Sequence, residues 1–260
     1  MRDCFSSRSN LNYLQDCFHN RVNVASLLAK YYIKIMIFFK RILARINRII
    51  NPPKNIEEEF HAKYYYSKVW ADTYFMGKNV FKCPNDLWIY QEILWENKPD
   101  VIIECGTFHG GSTLYYAKLF DMMGIDGEII TIDVDPMPDM PQHPRIKYLL
   151  GSSISAEIVL QVKELIKDKN RVMVILDSDH SCDHVYKELE LYHSFVTPGQ
   201  YLVVEDSNIN GHPVYSGFGQ GPGPMEAMEK FLPNHPEFES DKSKEKFLMS
   251  FNPNGYLKRK

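Results

Sequence analysis

Two acidic clusters mark where this chain can do chemistry. Asp177-Ser178-Asp179-His180 follows the apolar run 172–176, and Glu205-Asp206-Ser207-Asn208, which begins 28 residues after Asp177, follows the apolar run 201–204. If the runs are neighbouring strands, Asp177, Glu205 and Asp206 converge above their ends. Carboxylates that close repel unless a cation lies between them, and a hard divalent ion with oxygen ligands, such as Mg²⁺, meets that need. His180, three residues past the first acid, reaches a hydroxyl held there and reads as a general base. Two other readings stand beside this one. His180 and His184, spaced i to i+4, would with Asp179 or Asp183 hold zinc or non-haem iron, although no H-E-x-x-H context surrounds them. Plain solvated turn acids are the other.

A second group of residues suits a nucleoside-containing cofactor. Glu104-Cys105-Gly106-Thr107-Phe108-His109-Gly110-Gly111-Ser112 runs from an apolar stretch into a helical one, and its glycines let backbone approach a ligand while N–H groups at the helix start suit an anionic group. It departs from G-x-G-x-x-G. Asp133 ends the next apolar run 27 residues after Gly106, where an acid accepts both hydroxyls of a ribose. Gly151-Ser152-Ser153, after the run that follows, is placed to border the base, with Ser153 equally suited to be a helix N-cap. The expected cofactor contacts are thus Glu104, Gly106, Thr107, Gly110, Ser112, Asp133, Ser152 and Asp177, the last shared with the metal.

These residues need a scaffold that brings strand ends together. Apolar runs at 101–105, 129–133, 146–149, 172–177 and 201–205 alternate with helical patterns at 112–120, 156–167, 183–195 and 224–232, after a first helix around 87–97. The runs lack polar alternation, as parallel strands covered on both faces do. The expected fold is a doubly wound, mostly parallel α/β sheet, with ligands beyond the carboxyl ends of the strands. Between its last strand and helix, residues 210–224 carry five glycines among aromatics and read as a lid, or as a plain connection. Trp70, Tyr74, Trp88 and Tyr215 offer faces on which a sugar ring could stack.

The 260 residues carry a formal charge of −3, divided unevenly: residues 1–56 hold ten Lys/Arg and two Asp/Glu, or +8, and residues 57–260 sum to −11. An acidic body argues against nucleic acid. From 26 to 50 the pattern is a basic amphipathic helix, with Lys30, Lys34, Arg41, Arg45 and Arg48 in one sector. It would pack on its own body, on a second copy of the chain, or against anionic lipid. Asn51-Pro52-Pro53 stops it, so the expected division is a helical arm and linker at 1–56 and a body at 57–260. No run is long enough to span a bilayer. Five cysteines, an odd number with no C-x-x-C pair, indicate a reducing compartment. The expected setting is the cytoplasm, with the arm admitting peripheral contact at the inner face of the membrane.

The motifs together resemble the cephalosporin hydroxylase / rhamnosyl O-methyltransferase family, within the class I, Rossmann-like S-adenosylmethionine-dependent methyltransferases. The resemblance covers 64–259 and rests on Pro84-Asn85-Asp86-Leu87-Trp88, Ile103-Glu104-Cys105-Gly106-Thr107 with Gly110-Gly111-Ser112, and Leu176-Asp177-Ser178-Asp179-His180. Val204-Glu205-Asp206-Ser207-Asn208, Gly221-Pro222-Gly223-Pro224 with Glu226-Ala227, and Phe251-Asn252-Pro253-Asn254-Gly255-Tyr256-Leu257 extend it. More distantly the chain is similar to catechol O-methyltransferase-like enzymes, whose catalytic lysine falls where this chain has His180. The resemblance implies Mg²⁺-dependent methyl transfer from S-adenosylmethionine to a sugar or glycoconjugate hydroxyl, in carbohydrate or lipopolysaccharide biosynthesis. It further implies Asp133 on the ribose, the 104–111 turn on the methionine end, and a closing antiparallel hairpin near 247–257. The family's name also admits an oxygenase or accessory hydroxylation component, and the arm admits a non-catalytic scaffold.

Overall fold

The computed structural model describes residues 31–32, 34–135, 137–215 and 221–260. The first residues of the expected arm helix, 26–30, the N-terminal cysteines and the centre of the expected lid lie outside the described residues. Helix α1 is described over 34–50. Asn51-Pro52-Pro53 ends it, and α2 (Ile56–Ser67) begins with the Asn55 side chain accepting from Glu58 N at 2.8 Å. Three glutamates in its first turn complement the positive end of the helix dipole. Helix α2 packs on the body through Ala62 and Tyr65, against Cys83, Ile209, Val214, Met249 and Phe251.

A short antiparallel ribbon, β1 (Tyr74–Phe75) with β2 (Lys78–Asn79), leads to α3 (Pro84–Asn97). The helix starts three residues before the hydrophobic pattern suggests, because proline at the first helical position gives up a donor with no partner there anyway. Strands β3 (Val101–Cys105), β4 (Glu128–Asp133), β5 (Ile146–Leu150), β6 (Val172–Leu176) and β7 (Tyr201–Val204) then alternate with α4 (Gly111–Met123), α5 (Ala156–Leu165) and α6 (Cys182–Tyr192). Helix α7 (Pro224–Phe231) and strands β8 (Phe238–Ser240) and β9 (Tyr256–Arg259) complete a seven-stranded sheet of order β5-β4-β3-β6-β7-β9-β8. All neighbours are parallel except β7–β9 and β9–β8.

Successive strand residues feed opposite faces. Ile102, Met173 and Ile175 pack with Ile93, Tyr116 and Phe120 under α3 and α4, while Ile103, Val174 and Leu176 pack with Val162, Leu189 and Met228 under α5, α6 and α7. This double burial is why the strands read as continuous apolar runs. The expected closing hairpin is corrected: the antiparallel pair is β8 with β9, and 247–255 is turn. Leu248 and Asn254 have positive φ and Pro253 lacks a donor, so that segment cannot run as a strand. Among the described residues, no helix is long and apolar enough to cross a membrane.

Candidate active site

Register sets the site. Cys105 pairs with Ile132 and with Leu176, and Leu176 with Val204, so the residues that follow these strands, Gly106, Asp177 and Glu205, and the β4 end residue Asp133, stand along one edge of the sheet. Above it opens a cleft of about 990 Å³. Gly106 has φ of +98°, and a Cβ there would lie 1.9 Å from the Asp177 carbonyl oxygen; only glycine lets β3 and β6 close at this point.

Of the expected cofactor residues, Gly106, Thr107, Ser112, Asp133, Ser152 and Asp177 line the cleft. Glu104 does not. It is fully buried and accepts from the hydroxyls of Ser112 (2.6 Å), Thr131 (2.8 Å) and Thr113, tying β3 to α4 and β4. Position within the strand explains this: Glu104, one residue short of the end of β3, points into a layer, and the cleft is lined from the strand ends and the turns and helix starts that follow them. Gly110 also stands off, its positive φ shaping the turn against Pro141. Asp133 accepts from the backbone N–H of Thr107 (2.9 Å) and Phe108 (2.8 Å), so the acid pins the glycine turn.

The carboxylates converge, and the cation between two of them is a side chain the sequence reading missed. The ammonium of Lys82 lies 2.7 Å from Asp177 Oδ2 and 2.8 Å from Glu205 Oε1, and is 3 % exposed. Burial alone would lower its pKa, but Asp177 and then Glu205 outweigh burial and hold it well above the usual lysine value. Tyr90 also donates to Glu205. Glu205 therefore faces inward, whereas Asp206, with φ of +53°, turns outward to His180, whose Nε2 lies 3.1 Å from Asp206 Oδ2. The arrangement departs from the expected triad: Asp177, His180 and Asp206 each bring a ligand atom within 4.8 Å of the others, and Glu205 is outside that group because adjacent residues at a strand end point opposite ways. Burial raises the pKa of both Asp177 and Asp206; Lys82 opposes the shift at Asp177 and His180 opposes it at Asp206.

The paired-histidine reading is not met. His184 turns away to Ser178 (3.1 Å) and Glu188 (3.4 Å), the bond to Glu188 being the main cause that raises its pKa. His180 precedes α6, so the two do not share a helical face. A second group, Glu190, His193 and His235, lies at the far end of α6 and is satisfied by its own ion pairs, His235 with Glu190 at 3.3 Å and with Glu237 at 3.4 Å. Of the four aromatics named for sugar stacking, only Trp70 lines the cleft, joined by Tyr65, Phe81 and Phe108. Tyr74 and Trp88 are exposed elsewhere, and Tyr215 borders a separate groove near Pro53.

A parallel sheet closed by an antiparallel pair, with a glycine turn after the first strand of the βαβ series, an acid ending the next and acids after the two that follow, defines a class I methyltransferase. The chain belongs to the Rhamnosyl O-methyltransferase/CmcI family, which it matches over residues 67–260. It is 40% identical over 212 residues to a rhamnosyl O-methyltransferase of Mycobacterium bovis (strain BCG / Pasteur 1173P2), covering 79% of this chain and 86% of that one. To the rhamnosyl O-methyltransferase of Mycobacterium leprae (strain TN) it is 38% identical over 217 residues, covering 82% and 94%. Its fold is similar to that of CmcI, both in an apo structure (TM-score 0.56, 22% identity, 73% and 76% of the two chains) and in one with Mg and SAM (TM-score 0.56, 20% identity, 82% and 84%). The chain is an O-methyltransferase.

Proposed function

We propose that the protein transfers the methyl group of S-adenosylmethionine to a sugar hydroxyl, with Mg²⁺ held by Asp177 and Asp206 and His180 as base. One observation carries this reading: Asp177, His180 and Asp206 bring their ligand atoms together in the cleft that the glycine turn and Asp133 also line. The two carboxylates suit a hard ion, since both offer oxygen ligands and burial raises the pKa of each, and His180 Nε2 is kept for the proton and not for the ion. A divalent ion supplies there a charge that acidifies the acceptor hydroxyl and holds it in place.

The remaining work falls to the chain's own groups. His180 Nε2 takes the acceptor proton while Asp206, 3.1 Å away, stabilises the imidazolium that forms. The oxygen then bonds to the methyl carbon as the carbon–sulfur bond breaks, leaving a neutral thioether. Gly106 and Thr107 offer close backbone to the cofactor, Ser152 borders its base, and Asp133 takes the ribose through Oδ1, which accepts one bond from Asp135 N and has room for another. The wall of Tyr65, Trp70, Phe81 and Phe108 gives the acceptor ring an apolar surface.

A rhamnosyl acceptor is favoured by the names of the relatives at about 40% identity. The catalytic unit corresponds to 57–260, with 1–56 as arm and linker. A reducing, cytoplasmic setting is supported by Cys83, Cys105 and Cys182, all buried and free. The oxygenase alternative loses its histidine pair. Isothermal titration of metal-stripped protein with S-adenosylmethionine, with and without Mg²⁺ and beside Asp133→Ala, tests the cofactor. Saturable binding that the variant loses is expected, and no binding in any metal state would overturn the reading.

A further inference from the structure

Helix α1 leans on the body with the wrong face for a helix that is merely packing. At 100° per residue, Lys40, Ala44 and Asn47 share one side, and this side is the covered one: Ala44 is buried, Lys40 and Asn47 are half-buried, and Lys40 lines the catalytic cleft. The opposite side is apolar and faces solvent. Ile35, Phe38, Phe39, Leu43, Ile46 and Ile49 are between 44% and 79% exposed. Isolated exposed apolar residues need no explanation, but a continuous ridge of them along several turns does. Along one edge of the ridge, Lys34, Arg41, Arg45 and Arg48 fall within a sector of about 60° and are all exposed, with Arg48 4.6 Å from the Tyr66 ring.

We propose that α1 docks the enzyme on an anionic lipid bilayer, its apolar ridge inserted below the headgroups and its cationic stripe lying among them. Charge selects this occupant. The stripe belongs to a segment of net +8, against −11 for the rest of the chain, so an anionic surface draws the arm and repels the body, fixing which side meets the lipid. A second copy fits less well, since an antiparallel two-fold pairing through the ridges would set two cationic stripes side by side. Because Lys40 contributes both to the covered face of α1 and to the cleft, docking places the cleft mouth beside the lipid surface. Apolar and cationic elements act together in such helices, so removal of either one weakens binding.

The test is co-flotation of the full chain with vesicles of phosphatidylcholine alone or with a quarter phosphatidylglycerol, beside a charge variant (Lys34→Gln, Arg41→Gln, Arg45→Gln) and a ridge variant (Ile35→Ser, Phe39→Ser, Ile46→Ser). The wild type is expected to partition onto the anionic vesicles about tenfold or more over the neutral ones. The charge variant should lose that preference and the ridge variant should lose binding to both. S-adenosylmethionine affinity and transfer to a soluble sugar should remain as in the wild type, which shows that the variants fold and separates this result from the fate of the methyltransferase reading. Wild-type protein that stays with neither vesicle would overturn the proposal, and a dimer by light scattering that the ridge variant abolishes would then identify a second copy as the occupant.

Discussion

Lys82 is the residue on which the site depends and which local sequence does not announce. Its partners lie 95 and 123 positions away, and the residues around it look like the end of a loop before a helix. The signal was charge balance: three acids converging on one spot require a cation, and Lys82 satisfies two of them. Asp177, Asp206 and His180 were legible because each lies within four residues of the end of an apolar run, whereas Glu205 was legible as an acid and not as to which way it turns. Replacing Lys82 with methionine leaves the buried Glu205 and the half-buried Asp177 without a counter-charge and should cost on the order of 3 kcal/mol in denaturant unfolding. Adding Glu205→Gln should return part of that loss, a coupling that a double-mutant cycle reads directly. At the ion, Asp206→Asn should weaken Mg²⁺ affinity by tenfold or more, roughly the loss of one charged ligand of about 1.4 kcal/mol, while Glu205→Gln should change it little. Equal losses in isothermal titration would return Glu205 to the ligand set.

Elements were readable where one physical rule governed them. Parallel strands buried on both faces show as apolar runs, and proline and glycine mark the turns between them, so five central strands were located to within a residue or so. The closing hairpin was misplaced because β8 is three residues long and its partner lies beyond a turn built from Leu248, Pro253 and Asn254, where side-chain pattern says nothing about backbone angle. Gly106→Ala tests the strand-end geometry: with an oxygen 1.9 Å from the added carbon, β3 or β6 must shift, and S-adenosylmethionine and Mg²⁺ binding should fall together. Helix α2 is held by His61, whose ring stacks on Phe251 and whose Nε2 accepts from Asn208 Nδ2 at 2.9 Å. Burial lowers its pKa from 6.5 to about 4, against a smaller opposing effect of Glu58. The unfolded chain thus binds a proton at His61 below pH 6.5 that the folded chain refuses, so the contribution of His61 to stability falls as pH drops from 6.5 through about 4, while Asp86, whose carboxyl burial raises to about 7, contributes in the opposite sense. Across that window the loss is on the order of 3 kcal/mol. His61→Phe keeps the stack and should remove this contribution, so that its urea-unfolding stability relative to wild type rises as pH drops from 6.5 to 4; a difference that stays constant with pH would place the dependence elsewhere.

At the scale of the whole molecule, an acidic α/β body carries its chemistry on one edge of the sheet, and a cationic helix borders the mouth of the same cleft. The fold class, the cofactor edge and the sugar-directed chemistry were readable because several motifs occur in one order, each too weak alone. What the arm touches was not readable, since an amphipathic pattern shows that a face exists and not which surface covers it. Metal-dependent methyl transfer to a sugar hydroxyl can be read by mass spectrometry of a rhamnoside incubated with S-adenosylmethionine and metal-stripped protein. A methylated product is expected when Mg²⁺ is restored, none in excess chelator, and none from Asp177→Ala in either condition. Product formed equally in chelator and by the Asp177→Ala variant would contradict metal-dependent transfer.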